Sequence, residues 1–105
     1  MLPPKLEQVL KKLKAQLEQA LEAPVHLVLF GSYARGQATT DSDVDVVAIV
    51  PTLSKQTLDT ILDVAWEISF EEGVLLSLIP IAEGELRQLS ASPFLQAVER
   101  EGIPL

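Results

Sequence analysis

Residues 25–50 read VHLVLFGSYARGQATTDSDVDVVAIV, and the spacing within this stretch decides the fold. Val25 to Phe30 is an apolar, β-branched run that ends abruptly at Gly31-Ser32, the pattern of a buried strand meeting a sharp turn. A short helical turn around Ser32 to Arg35 follows, then a polar loop from Gly36 to Ser42. Asp43 to Val50 forms the second strand, stopped by Pro51. Side chains alternate along a strand, so Asp43 and Asp45 face one side while Val44 and Val46 point into the core and hold the register.

Outside this stretch the chain alternates helix and strand. Leu6, Val9, Leu10, Leu13, Leu17, Ala20 and Leu21 recur at helical spacing after Pro3-Pro4, where a first turn tolerates proline. Ser54 is placed to cap a second helix that carries Leu58, Ile61, Leu62, Ala65, Ile68 and Ser69 on one side and stops at Gly73. Trp66 and Phe70 read as packing residues of that helix. Val74 to Ile81 is a third strand, apolar on both faces except at Ser77, which suggests a central, doubly covered position. Glu83 to Leu89 is a short helix, and Ser92-Pro93 opens a last one that Gly102 closes. The order predicts an α/β fold: a small sheet of three to four strands, helices mainly on one face, in one domain spanning residues 1–105.

Composition narrows the function classes. Of 105 residues, 48% are hydrophobic and 22% charged, the balance of a packed globular chain. With no cysteine, disulfides and thiolate zinc sites are excluded, which fits a reducing, cytoplasmic setting. The opening residues run straight into a charged amphipathic segment, so no signal peptide is expected, and no apolar run reaches membrane-spanning length. Net charge is −7, divided as +2 over residues 1–40 and −9 over residues 41–105. That acidity argues against stand-alone nucleic-acid binding and suits a basic protein partner.

The chemistry lies in Gly31-Ser32 and Asp43-Val44-Asp45. Two carboxylates that close repel and raise each other's pKa unless a cation neutralises them. Hard oxygen donors favour Mg²⁺, which completes its shell with waters and substrate phosphates. Gly31 lets the backbone come close to a ligand, and Ser32 offers a hydroxyl and an N–H at a helical start, an anion site. Metal carboxylates beside a phosphate cradle are what phosphoryl or nucleotidyl transfer requires. Asp41 is expected to bond its own turn backbone, and lone His26 to be structural.

This stretch resembles the nucleotidyltransferase superfamily related to DNA polymerase beta, whose signature is Gly-Ser, about ten residues, then Asp-x-Asp. More closely, it is similar to the minimal nucleotidyltransferase (MNT) family of bacteria and archaea. The resemblance implies that Gly31, Ser32 and Arg35 contact the triphosphate of ATP or another nucleoside triphosphate. It makes Asp43 and Asp45 the catalytic carboxylates and the ligands of two Mg²⁺ ions. The superfamily places a third carboxylate on the following strand, and the matching position here is Ser77. Serine supplies no anionic ligand and no base at neutral pH, so the second metal is weakened. Glu71 or Glu72 are the candidates to lend the missing carboxylate. The resemblance further implies an antitoxin of a toxin–antitoxin pair, partnered with a HEPN-type ribonuclease toxin whose hydroxyl receives AMP. A nucleotide-binding module that silences the toxin by contact is the alternative, and a homo-oligomer stays open.

Overall fold

A computed structural model describes residues 2–39, 42–89 and 91–105. Helix α1 (Pro4–Leu21) buries Leu6, Val9, Leu10, Leu13 and Leu17, the expected stripe, and ends where Glu22 turns left-handed. The Glu18 carboxylate accepts the Val25 N–H at 3.0 Å, which sets the approach to strand β1 (His26–Phe30). Strand β2 (Val44–Val50) pairs antiparallel with β1, and Phe30 lies opposite Asp45.

Helix α2 (Lys55–Glu72) starts at Ser54, whose hydroxyl accepts the Thr57 N–H, and stops at Gly73 in the left-handed region. It carries the chain to strand β3 (Leu76–Ala82), which runs parallel to β2. The Ser69 hydroxyl accepts the Leu76 N–H at 3.1 Å and so ties the end of α2 to the start of β3. Helices α3 (Glu83–Leu89) and α4 (Pro93–Glu101) follow, with Ser92 capping α4. The chain then adds a two-residue strand, β4 (Ile103–Pro104), antiparallel to β1.

The sheet order is β3-β2-β1-β4, a mixed four-stranded sheet within the expected range. One face carries Leu27, Leu29, Val44, Val46, Ala48, Val50 and Leu76 against the long helices α1 and α2. Burying a side chain such as Leu13 or Leu17 contributes about 2 kcal/mol. The other face meets only the short helices: Val47 and Ile81 pack with Leu95 and Val98 of α4, and Leu86 of α3 adds cover. Helices therefore lie mainly on one face, and the second face is covered only in part.

Two expectations are corrected. Strand β3 is an edge strand, and the inner strands are β2 and β1. Its apolar run is interrupted by Pro80, which has no N–H for a second neighbour, so an edge is where this strand can sit. Trp66 and Phe70 are not core residues: they stay 69% and 81% exposed. The core side of α2 is taken by Ile61, Ala65 and Ile68, one third of a turn away. Asp41 lies outside the described residues, and His26 is the exposed first residue of β1. Among the described residues no helix is long and apolar enough to cross a membrane.

Candidate active site

The site forms where β1 and β2 open towards the Gly31 turn. Arg35 N–H bonds the Gly31 carbonyl at 3.1 Å and Gln37 N–H bonds the Ser32 carbonyl at 2.9 Å, so residues 31–36 form a tight hydrogen-bonded turn where a short helical turn around Ser32 to Arg35 is expected. Gly31 has φ +75, and a Cβ there would run into the Asp45 carboxylate, with Asp45 Cγ at 3.2 Å and Cβ at 3.3 Å. The backbone thus comes close to the Asp45 side chain itself, not only to a ligand.

Asp45 is half-buried, and Asp43, just ahead of β2, is exposed. The Asp45 carboxyl is held above its ordinary value, first by burial and then by the neighbouring Asp43 charge, while Arg35 pulls it back. The structure therefore gathers Gly31, Arg35, Asp43 and Asp45 around one point. Arg35 is also engaged elsewhere: its Nε donates to Gln37 Oε1 at 3.2 Å, and its guanidinium lies 3.6 Å from a Glu101 oxygen at the end of α4. Phe94 of α4 meets Phe30 edge-on, ring centroids 5.4 Å apart, and so sets α4 beside the last residue before the turn.

Ser77 is the register partner of Asp45 on β3. Partners on parallel neighbours share a face, so Ser77 stands beside Asp45, half-buried rather than in the core. Glu71 and Glu72 are not brought to this point. Both hold Lys12 of α1, at 2.7 and 3.2 Å, and serve to fasten α1 to α2. Among the described residues no three His, Cys, Asp or Glu side chains gather around a common point. The donor set is two carboxylates, with the pKa of the half-buried Asp45 raised first by burial and then by Asp43. That set fits a hard divalent cation bound jointly with substrate phosphates, as Mg²⁺ is.

The exposed aromatic stripe on α2 is the surface that sequence reasoning misassigned. Its signal was present: Leu62, Trp66 and Phe70 lie four residues apart, on a row that diverges from the buried row.

Comparison with known proteins agrees with this geometry. The family model for the nucleotidyltransferase domain matches residues 7–93. Two proteins of Methanocaldococcus jannaschii, each bearing the name putative protein adenylyltransferase, are similar in sequence. One is 33% identical over 93 residues, covering 86% of this chain and 61% of its own length. The other is 31% identical over 100 residues, covering 91% of this chain and 94% of its own. The chain thus spans about three fifths of the first relative and nearly all of the second. A solved structure described as a putative minimal nucleotidyltransferase superposes with a TM-score of 0.60 at 26% identity, over 95% of both chains. With Gly31-Ser32 turned against Asp45 and the family model matched from α1 to the start of α4, this chain belongs to the nucleotidyltransferase domain family.

Proposed function

We propose that this protein is a Mg²⁺-dependent nucleotidyltransferase that moves a nucleotide, AMP from ATP, to a hydroxyl of a partner protein. The observation that carries the reading is the half-buried Asp45 carboxylate, set against the Gly31 turn and beside Asp43 and Arg35. The names of the two Methanocaldococcus jannaschii relatives support adenylyl transfer to protein. Asp43 and Asp45 would hold the metal, while the Gly31-Ser32 turn and the Arg35 guanidinium would bind and orient the triphosphate. Magnesium, when bound, offsets the charge that develops on the phosphates. The acceptor hydroxyl attacks the α-phosphorus in line and gives up its proton to solvent, the bond to the bridging oxygen breaks, and pyrophosphate leaves. The acceptor would be carried on another molecule. On the family resemblance, that partner is a HEPN-type toxin and this chain its antitoxin, acting in the cytoplasm.

One observation favours a second reading. Ser77 stands beside Asp45 where a third carboxylate would complete the site, and Glu71 and Glu72 are held away by Lys12. A chain that binds Mg-nucleotide and silences its partner by contact, with slow transfer, fits that substitution. Mass spectrometry of a HEPN partner after incubation with the protein, ATP and Mg²⁺ separates the two. One or more added AMP groups, absent with Asp45→Asn, supports the enzyme. A tight but unmodified complex supports the module, and a protein whose Tm ignores Mg-ATP altogether refutes both.

A further inference from the structure

The outer surface of α2 carries a row that nothing among the described residues covers. Leu62, Trp66 and Phe70 are 48%, 69% and 81% exposed and lie at four-residue steps, so they line up along the helix. Leu75, 57% exposed, extends the row to the entry of β3. Together they present roughly 500 Å² of apolar side chain, at the upper end of what an isolated protein exposes. Beside this row runs a second one at the same spacing, Asp59, Asp63 and Glu67, and Asp63 lines one groove together with Leu62 and Trp66. An apolar stripe with an acidic border is complementary to an apolar stripe with a basic border.

At its Leu75 end the stripe also comes close to Asp43. The Leu75 carbonyl accepts the Val44 N–H at 2.8 Å, and Leu75 shares a depression with Asp43 and Tyr33. A partner seated on α2 therefore reaches the carboxylate end of β2.

We infer that the Leu62-Trp66-Phe70-Leu75 stripe is a docking surface for a basic amphipathic helix of a partner protein. The docking is read from α2 and the adjoining Leu75 alone. Only its use, to hold the acceptor near Asp43 and Asp45, rests on the function proposed above. A second copy of this chain is the poorer occupant, because it would bring a second acidic row, of a chain of net charge −7, against the first. Strand addition at the β3 edge is hindered by Pro80. An amphipathic helix laid along the stripe needs neither self-complementary charge nor a free strand edge.

Trp66 is the only tryptophan in the chain and sits mid-stripe, so its fluorescence reports occupancy directly. The probe is a synthetic peptide of about four helical turns with leucine on one face, lysine flanking it and no aromatic residue. The expected result is a saturable blue shift of Trp66 that weakens as salt rises and that loses about tenfold in affinity with Phe70→Ser. Asp63→Lys should weaken binding and flatten the salt dependence. Phe70 is too exposed for its loss to unfold the chain, which circular dichroism checks. Equal binding of a scrambled peptide of the same composition, or of a leucine peptide flanked by glutamate, overturns the inference. So does a stable dimer in sedimentation that Phe70→Ser dissociates, since that gives the stripe to a second copy. A Mg-ATP thermal shift measured on the same samples keeps the two readings apart. Peptide binding without that shift rejects the nucleotide site and leaves the docking surface standing, whereas the shift without peptide binding does the reverse.

Discussion

The carboxylate of Asp45 occupies the space that a side chain on residue 31 would need. Gly31 holds φ +75, and a Cβ built there meets Asp45 Cγ at 3.2 Å. Conformation and contact thus demand glycine for separate reasons, and both bear on the site. Gly31→Ala should cost about 1–2 kcal/mol from the left-handed backbone. It should also push the Asp45 carboxylate aside. Thermal melts and a Mg-ATP titration check this together. A variant with the affinity of wild type would show that the place of Asp45 against the turn is irrelevant to nucleotide binding.

Asp45→Asn should make the nucleotide-free protein more stable at neutral pH, because burial and Asp43 disfavour the charged form. The folded-state pKa is raised, so the favourable contribution of protonated Asp45 is full below about 3.8 and is lost as pH rises through the raised value. The gain in Tm of Asp45→Asn over wild type should therefore be present at pH 7 and vanish in acid. The same variant should lose the rise in Tm that Mg-ATP brings. A gain that grows towards acid contradicts the assignment of burial as the cause.

Ser77→Asp places a carboxylate beside Asp45, its register partner. Without metal the two like charges should lower stability, by about 1–3 kcal/mol for a half-buried position. Mg-ATP should restore much of that loss, and transfer of AMP to a partner should rise above wild type. Wild-type transfer that is already fast, with no gain in the variant, would mean that a carboxylate from the partner completes the site.

Glu101→Gln should release Arg35 from its exposed pair at the end of α4. Such a pair contributes little to stability, so Tm should stay within the change expected of about 0.5 kcal/mol. The freed guanidinium should tighten binding of the triphosphate by roughly two- to threefold, comparable to one exposed charge contact. Isothermal titration with Mg-ATP at low and high salt measures it. If Arg35→Gln binds Mg-ATP as well as wild type, Arg35 belongs to the α4 contact alone.

The sequence by itself determined the local geometry: the capped helices, the buried stripe of α1, the Gly31 turn and the alternation that sets Val44 and Val46 inward with Asp45 on the opposite face. These depend on residues within a turn or a strand of one another, where spacing and backbone preference decide the outcome. What covers a given face depends on non-local pairing, and only the tertiary structure decided it. The edge position of β3 was hinted at by Pro80 but established by its lone pairing with β2. Ile103–Pro104 is too short to read as a strand and becomes one because β1 has a free edge. Ser77 comes to lie beside Asp45 only through the parallel register of β2 and β3. Trp66 and Phe70 read as core because they are large and apolar. They stay outside because α1 and β3 already fill the one face of α2 that the chain can cover.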